Sequence, residues 1–330
     1  MKNRARVFTA GFFALAGLLG LAAWLAGQNA PQFAPAQRLP NNEMLLRLNA
    51  SNGFYRIEAA TNLPAWNSVL TLLSTSGVVN QETDSAAPFL SSRFYRALQL
   101  EGSNFLTGDH LVTSNGDVVI HPMNHASFAL SWNGKLIYND PTNLVGNLPQ
   151  ADLILVTHAH SDHFNATALA NLRQTNGTLI APQVVYNSLS AALKTNTIVL
   201  TNGASLNLPG MLIEAVASYN ITPANTNYHP KGVGNGYVLT IGGKRLYISG
   251  DSEDTPEMRA LQNIDVAFLN MNQPYTLSLS QAVSAVRAFR PGIIYPNHFR
   301  NQNSTFTDLN SFKQQVMTNP AVEVRLRKWY

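Results

Sequence analysis

The chain of 330 residues contains no cysteine, and only 12% of its residues are charged, about half of the ~25% that is usual in soluble domains. The absence of cysteine excludes disulfide bonds, thiolate metal sites and cysteine nucleophiles. Apolar residues make up 45% of the sequence, which is typical of a globular protein with a substantial core. The composition therefore predicts one large domain or two smaller ones, with a polar but weakly charged surface.

The chain also has little net charge outside its first few residues. Its formal charge of +4 is the difference between 22 basic and 18 acidic side chains, and Lys2, Arg4 and Arg6 supply three of those four charges. No strongly basic surface remains for a nucleic acid, so we predict no nucleic-acid partner.

Residues 1–27 form a leader that is first basic and then apolar. The segment MKNRAR precedes VFTAGFFALAGLLGLAAWLAG, an uncharged run of roughly 20 residues. Small residues at Ala23, Ala26 and Ala30 favour a cleaved signal peptide, whereas the length of the run favours an uncleaved membrane anchor over residues 7–27. Either interpretation predicts an exported protein, periplasmic or extracellular, and the anchor would associate it with a membrane.

Two further regions precede the part of the chain that carries the chemistry. Residues 28–42 (QNAPQFAPAQRLPNN) are predicted to be a linker because they are rich in Pro, Gln and Asn. Residues 43–102 contain short, partly alternating apolar segments, which predict an all-β domain. The stretch from YRIEAATNLPAWNSVL to FYRALQL resembles a small β-sandwich module of many secreted bacterial proteins, which implies an accessory domain without catalytic residues.

Strands alternate with helices in residues 108–330. Asn133-Gly134 and Gly242-Gly243 each separate two apolar segments, as two-residue hairpin turns do. ADLILVTH is predicted to be a buried strand, and NATALANLRQTNG a helix that Asn165 caps and Gly177 ends. This alternation predicts an α/β domain with mixed sheets and helices outside them.

Three of the eight histidines, His158, His160 and His163, lie within six residues and enclose Asp162. The first two can point the same way from an extended segment that follows the apolar run LILV, and a turn returns the other two to the same pocket. Imidazole and carboxylate groups suit borderline divalent metals. The pattern H-x-H-x-D-H therefore predicts two halves of a metal site.

This pattern resembles the metal-binding motif of the metallo-β-lactamase superfamily, whose other ligands have counterparts here in the same order. The resemblance implies a four-layer αββα fold over residues 108–330. It also implies Asp140 after an early strand, His229 as a third histidine, Asp251 as a bridging aspartate and His298 as the last histidine.

Three longer stretches, HASFALSWNGKLIYNDP, HPKGVGNGYVL and GDSEDTPEM, resemble one branch of that superfamily. The branch includes ascorbate-6-phosphate lactonase-like and N-acylphosphatidylethanolamine phospholipase D-like proteins. The chain departs from it at Ser252, where threonine is usual, and at Asn297, where tyrosine is common. Neither position is a ligand, so these departures concern the substrate rather than the metal.

The resemblance implies two divalent ions, zinc first and manganese or iron as alternatives. It assigns His158, His160 and His229 to one ion, Asp162, His163 and His298 to the other, and Asp251 to a position between them. A bridging water would be acidified to hydroxide and attack the substrate, with Asp162 and Asp251 as the catalytic carboxylates. Asp140 is expected to hold an imidazole by a hydrogen bond.

We predict an exported di-metal hydrolase that acts on a lactone, ester or phosphodiester bond of a small-molecule or lipid-like substrate. The alternative is a metal-binding scaffold without enzymatic activity, attached to a surface through its β-sandwich. Four further side chains lie beside motif residues and are expected either to support the ligands or to face the substrate: His125, Tyr219, Tyr275 and Arg300.

Overall fold

The computed structural model describes residues 8–10, 31–75, 78–103, 106–144, 146–318 and 322–330. The chain divides into two compact units, Met1–Val112 and Thr113–Tyr330. Apart from the short strand Phe8–Ala10, the predicted leader lies outside the described residues, so its cleavage or anchoring stays a prediction. Within the described part of the chain, no helix combines the length and the apolarity needed to cross a bilayer.

Strands in two sheets make up the first unit. They are β1 (Phe8–Ala10), β2 (Gln32–Phe33), β3 (Gln37–Arg38), β4 (Met44–Asn49), β5 (Gly53–Ala60), β6 (Asn67–Ser74), β7 (Asn80–Asp84), β8 (Phe94–Gln99) and β9 (Gly108–Leu111), with a 3₁₀ turn at Ala87–Phe89. One sheet runs β1-β8-β5-β6-β9, and the other runs β2-β4-β3 with β7 also paired to β4.

The two sheets of this unit share one hydrophobic core. Met44, Leu46 and Leu48 alternate along β4 and are buried against Tyr55 and Ile57 of β5. Alternating burial on two sheets is the packing of a β-sandwich, so the all-β prediction for this region agrees with the structure. The resemblance to modules of secreted proteins stays a prediction.

The boundaries of the first unit differ from the predicted ones. The predicted linker 28–42 contains β2 and β3, which pair with β4. The unit also continues past residue 102 to Val112, because β9 pairs with β6. Strands pair through backbone hydrogen bonds, which do not require apolar side chains. The composition of residues 28–42 therefore did not reveal these two short strands.

Two mixed sheets and short helices make up the second unit. The strands are β10 (Val118–Asn124), β11 (Ser127–Trp132), β12 (Lys135–Asn139), β13 (Ala151–Leu155), β14 (Arg173–Ala181), β15 (Thr197–Val199), β16 (Ser205–Leu208), β17 (Met211–Ser218), β18 (Gly234–Ile241), β19 (Lys244–Ile248), β20 (Val266–Asn270), β21 (Ile293–Asn297) and β22 (Glu323–Val324). The helices are α1 (Ala166–Leu172), α2 (Gln183–Asn187), α3 (Ala191–Lys194), α4 (Pro256–Arg259), α5 (Leu279–Phe289) and α6 (Leu309–Val316).

The sheets of the second unit run β10 to β15 and β16 to β22 in sequence order. Phe128 of β11 stacks on Phe268 of β20 with 4.1 Å between ring centroids, which joins the inner faces of the two sheets. On the outer face of the second sheet, Val286 of α5 and Phe312 of α6 are buried against strand residues such as Ala267. The predicted α/β architecture is therefore confirmed.

Local turn chemistry predicted the hairpins correctly but placed one helix end wrongly. Asn133 and Gly134 have φ of 48° and 75°, as a type I′ turn requires. The helix expected to reach Gly177 ends at Leu172, and Gly177 lies inside β14. A Cβ at Gly177 would lie 2.8 Å from the Ala151 carbonyl oxygen, so this glycine permits close strand pairing and does not end a helix.

The parallel strands bring polar residues to one edge of the two sheets. Carboxyl ends of neighbouring parallel strands meet at the same edge, where ligands bind in open α/β sheets. The residues that follow these strand ends are Asp140 after β12, Thr157 and His158 after β13, Asp251 after β19, and His298 after β21.

Candidate metal centre

Imidazole nitrogens from several strand ends converge on the buried carboxylate of Asp251. Its Oδ2 lies 3.3 Å from His229 Nε2, 3.7 Å from His298 Nε2 and 3.8 Å from His158 Nε2. Its Oδ1 lies 3.3 Å from His163 Nε2. The residue expected to bridge two metals is therefore at the middle of the cluster.

The remaining members complete two sides of this cluster. On one side, His160 Nδ1 lies 3.1 Å from His158 Nε2. On the other, Asp162 Oδ2 lies 3.3 Å from His298 Nε2 and 3.8 Å from His163 Nε2. Three sets have ligand atoms close enough to share one ion, namely His158–His160–His229, His125–Asp162–His298 and His158–His163–Asp251. The structure thus brings together all seven residues predicted as ligands and adds His125.

Acceptor oxygens fix the tautomers of two of these histidines. His163 Nδ1 lies 2.8 Å from Asp140 Oδ2, and His229 Nδ1 lies 2.6 Å from Asn220 Oδ1. An oxygen that only accepts requires an N–H at Nδ1, which leaves the lone pair on Nε2. Both Nε2 atoms therefore face Asp251, and in the neutral ring each would offer its lone pair to a cation beside that carboxylate.

Asp140 also orients the imidazole of His158, through the hydroxyl of Thr157. The Thr157 hydroxyl donates to Asp140 Oδ2 at 2.6 Å, so it can accept from His158 Nδ1 at 3.0 Å. The Thr157 backbone N–H donates to Asp140 Oδ1 at 2.7 Å. Asp140 therefore orients His163 directly and His158 through Thr157, in the position predicted for it.

The side-chain amide of Asn272 contacts Nδ1 of His298. The amide nitrogen Nδ2 lies 3.1 Å from His298 Nδ1, and Oδ1 lacks a hydrogen-bond partner. An amide turned over would present its oxygen to the ring instead. In that orientation Oδ1 would accept from Nδ1–H, and the Nε2 lone pair of His298 would face the cluster.

Within the described part of the chain, three buried imidazole nitrogens lack a hydrogen-bond partner, namely the Nε2 atoms of His163, His229 and His298. Their contacts of 3.3 to 3.7 Å with Asp251 are not aligned as hydrogen bonds. An unpaired buried polar atom is costly, and a cation ligated by these nitrogens would remove that cost. The donor set, imidazole with carboxylate, fits zinc or a related divalent ion.

The protonation states also suit a cation. Burial lowers the pKa of His158 and of His160, and it lowers the pKa of His298 although Asp251 opposes it. These rings are therefore neutral, the form that ligates metals. Burial would raise the pKa of Asp251, but the charge of His163 outweighs it and holds that pKa well below its usual range.

His163 and Asp162 show the opposite balance of effects. Burial would lower the pKa of His163, but the carboxylates of Asp251 and Asp140 raise it well above its ordinary value. Burial would raise the pKa of Asp162, but hydrogen bonds from His125 and His298 lower it. In the metal-free centre a proton on His163 thus offsets the neighbouring carboxylates, and a bound cation would displace it.

His125 joins the Asp162 side of the cluster through contacts that the sequence did not predict in full. Its Nε2 lies 3.2 Å from Asp162 Oδ2, and its ring centroid lies 3.7 Å from that of His298. Its Nδ1 lies 2.8 Å from the hydroxyl of Tyr330, a residue that carried no sequence signal. Asn220, Asn270 and Asn272 were missed as well, and Asn270 Nδ2 donates to Asp251 Oδ1 at 2.6 Å.

Three other predicted residues contact groups outside the cluster. The Tyr219 hydroxyl donates to Glu257 Oε2 at 2.8 Å, so it faces away from the ligands. Tyr275 accepts from the Asn220 side chain through its carbonyl oxygen, at 2.7 Å, and thus supports a residue that orients His229. The Arg300 guanidinium lies 4.2 Å from the ring centroid of Tyr330, at the periphery of the centre.

Strained backbone holds several of these groups in place. His125, Asp140 and His298 have φ of 60°, 41° and 45°, in the left-handed region that side chains other than Gly and Asn rarely occupy. Gly250, with φ of 59°, precedes Asp251, and a Cβ there would lie 2.9 Å from the Asn235 carbonyl oxygen. Glycine is therefore required for this turn.

A cavity of about 280 Å³ opens beside the cluster. His158, His160, His229 and Asp251 line its inner end. The rest of the lining is mostly apolar, with Val184, Tyr228, Pro230 and Val233, and it includes two polar residues, Ser218 and Asn227. The cavity thus adjoins one side of the cluster, the side with three imidazoles.

The chain is similar to known proteins over the part that contains this centre. The family model described as "Beta-lactamase superfamily domain" matches residues 120–298, a segment that contains all seven predicted ligands. A UPF0173 metal-dependent hydrolase from Ignicoccus hospitalis is 30% identical over 183 residues, which cover 54% of this chain and 76% of that relative.

Two solved structures are similar over about two thirds of the chain. A protein from Parabacteroides distasonis, provisionally described as a metal-dependent hydrolase, is 36% identical with a TM-score of 0.62, and the match covers 68% of this chain and 100% of that chain. Igni18, a metallo hydrolase from Ignicoccus hospitalis, is 25% identical with a TM-score of 0.54, and the match covers 64% of this chain and 95% of that one.

Proposed function

Because the chain belongs to the metallo-β-lactamase superfamily and is a metal-dependent hydrolase, we propose that it binds two divalent cations around Asp251 and hydrolyses an ester, lactone or phosphodiester bond. Zinc suits the donor set best, and manganese or iron(II) would fit the same ligands. We also propose that the protein is exported, which its basic and apolar leader supports.

The observation that carries this proposal is the orientation of four buried imidazoles. The Nδ1 atoms of His158, His163 and His229 lie against oxygen atoms, and that of His298 lies against the Asn272 amide, so that four Nε2 atoms face the Asp251 carboxylate. His158, His160 and His229 would hold one cation. Asp162, His163 and His298 would hold the other, with Asp251 between them.

Bound cations would lower the pKa of a water molecule and polarise the bond that is cleaved. The side chains supply position and charge for this chemistry. Asn270 holds Asp251 by a hydrogen bond of 2.6 Å to Oδ1, which fixes the carboxylate between the two sides. Asp162, whose side chain is 40% exposed, is the ligand that faces solvent and can accept a proton from an incoming water.

Metal content and turnover test this proposal on one sample. Protein stripped with a chelator and reconstituted with zinc, manganese or iron(II) should bind close to two ions per chain, measured by elemental analysis. It should then hydrolyse generic lactone, ester or phosphodiester substrates, and a second chelation should abolish turnover. Asn176→Ala, at an exposed position of β14, is the control. Fewer than one ion per chain after reconstitution would contradict the proposal.

A further inference from the structure

Away from the metal centre, the walls of the adjoining cavity are mostly apolar, and only Ser218 and Asn227 add polar side chains. Val184 from α2 and Tyr228, Pro230 and Val233 from the loop after β17 form its walls. The Tyr228 ring is braced edge-on by Tyr275, with 4.8 Å between centroids. A wall of this kind gains free energy when it contacts apolar rather than charged ligand groups.

Exposed hydrophobic side chains of the second unit concentrate around the same centre. In the described part of this unit the large exposed ones are Ile221, Tyr228, Val233, Phe306 and Tyr330. The first three lie on the loop that carries His229, and the last two pack against Phe299, next to His298. Single exposed hydrophobic residues are ordinary, but a group of them around a site marks a binding surface.

Among the residues that the structure describes, no Lys or Arg lines the cavity. The described lining therefore offers no Lys or Arg side chain to pair with an anionic group. The nearby Lys231 lies 2.7 Å from Glu257 Oε1 and 3.1 Å from the Tyr219 hydroxyl, so it is already paired. An anionic group in this cavity would lose hydration without gaining an ion pair from its walls.

From these observations we propose that the substrate is an uncharged carboxylic ester or lactone whose short apolar acyl chain lies in the cavity between Val184 and Tyr228. The inference rests on the proposed hydrolase function and selects one substrate class from it. The reacting carbonyl would then lie over His158, His229 and Asp251, which form the inner end of the cavity. The volume of about 280 Å³ is at the lower limit of the ~300–1,000 Å³ usual for small-molecule pockets, so the chain is short.

A series of p-nitrophenyl esters tests the chain length on the metal-loaded protein. From acetate to butyrate to hexanoate, kcat/KM should rise by about fourfold for each added methylene, since each buried methylene contributes ~0.8 kcal/mol. The rise should stop once the chain outgrows the cavity, so decanoate should not exceed hexanoate. Bis-p-nitrophenyl phosphate should be a poorer substrate than butyrate.

Val184 offers a test in both directions. Val184→Phe narrows the cavity and should move the preferred chain length towards acetate, whereas Val184→Ala should move it towards longer chains. Val112→Phe makes the same change at an exposed position in the first unit and should leave the preference unaltered. Melting temperature and metal content show whether each variant folds. If one of the two Val184 variants does not fold, the chain-length preference of the other one is used for the test.

Binding of the acyl products gives a readout that does not depend on turnover. Calorimetric titration with acetate, butyrate and hexanoate should show affinity that rises with chain length, and Val184→Phe should remove that rise. A chain-length-independent affinity, or a preference for bis-p-nitrophenyl phosphate over every ester, would overturn the inference while leaving a metal-dependent hydrolase. Loss of metal binding or of all hydrolysis would instead count against the proposed function.

Discussion

The two sides of the metal centre are built differently. The side with His158, His160 and His229 has only imidazole ligands and borders the apolar cavity. The other side includes the exposed carboxylate of Asp162, which His125 contacts. The first side therefore adds no negative charge to its cation, whereas the second does. The comparison indicates that the side containing Asp162 retains its cation more strongly than the cavity side does. Asp251 lies between the two sides and couples their cations.

Replacement of Asp251 should have the largest effect, because it removes what the two sides share. Two like unit charges ~4 Å apart repel by about 4 kcal/mol at an effective dielectric of ~20, and divalent ions repel more. The neutral amide of Asp251→Asn cannot offset this repulsion. We expect loss of one ion per chain and a fall in kcat/KM of at least about 10²- to 10³-fold, the usual effect of losing a preorganised electrostatic group.

Elemental analysis and thermal melting of the same Asp251→Asn sample separate a ligand from a turn residue. A retained pair of ions with a much lower melting temperature would show that Asp251 only supports the Gly250 turn. Metal loss with an intact fold is the expected outcome.

Variants that lack one imidazole ligand should distinguish the cations of the two sides. His229→Ala should remove the cation of the cavity side, and His298→Ala should remove that of the Asp162 side. Each should lower kcat/KM by more than the ~100-fold that follows loss of an outer partner of a ligand. Metal titration should show that His229→Ala keeps the tighter ion and His298→Ala the weaker. The reverse order would contradict the comparison between the sides, and full metal content in His229→Ala would remove this residue from the ligand set.

The orienting partners should have intermediate effects. Asn220→Ala removes the oxygen that holds His229 Nδ1 at 2.6 Å, so the ring loses its fixed tautomer. We expect about a 10- to 100-fold weaker affinity for the cavity-side cation, measured by competition with a chromogenic chelator. Asn176→Ala should match the unmodified protein. An unchanged affinity in Asn220→Ala would show that the tautomer of His229 is set by some other group.

The smallest effects should come from His125 and Tyr330, which support Asp162 from outside. Tyr330→Phe removes one hydrogen bond to His125 and keeps the ring, so activity should fall by about 2- to 10-fold. In His125→Ala the activity should fall somewhat further, and the protein should retain two ions per chain. Loss of an ion in His125→Ala would identify this residue as a ligand, and the side containing Asp162 would then have more ligands than predicted.

The structure brings the predicted ligands together, and for four of them the reason is local in the chain. His158, His160, Asp162 and His163 lie in the short bend and turn that follow β13, so their proximity needs no tertiary information. His229, Asp251 and His298 depended on the family resemblance, since nothing in their own surroundings distinguishes them from other polar residues after strands.

The orienting partners could not be predicted in this way. Asn220, Asn270 and Asn272 belong to a chain rich in asparagine, and only the register of distant strands shows which of them meets an imidazole. The role of Gly177 in the fold could not be predicted from the local sequence either. A glycine after a helical pattern normally ends the helix, but here the pairing of β14 with β13 determined its role.

The left-handed backbone at His125 and His298 has a consequence for attempts to engineer the protein. Each such conformation costs of the order of 1–3 kcal/mol, and glycine would adopt it without strain. A search for thermostable variants would therefore favour glycine at these two positions, which carry the side chains on which the centre depends. Heat resistance and turnover should consequently be opposed at both positions, weakly at His125 and strongly at His298, where glycine would remove a proposed metal ligand.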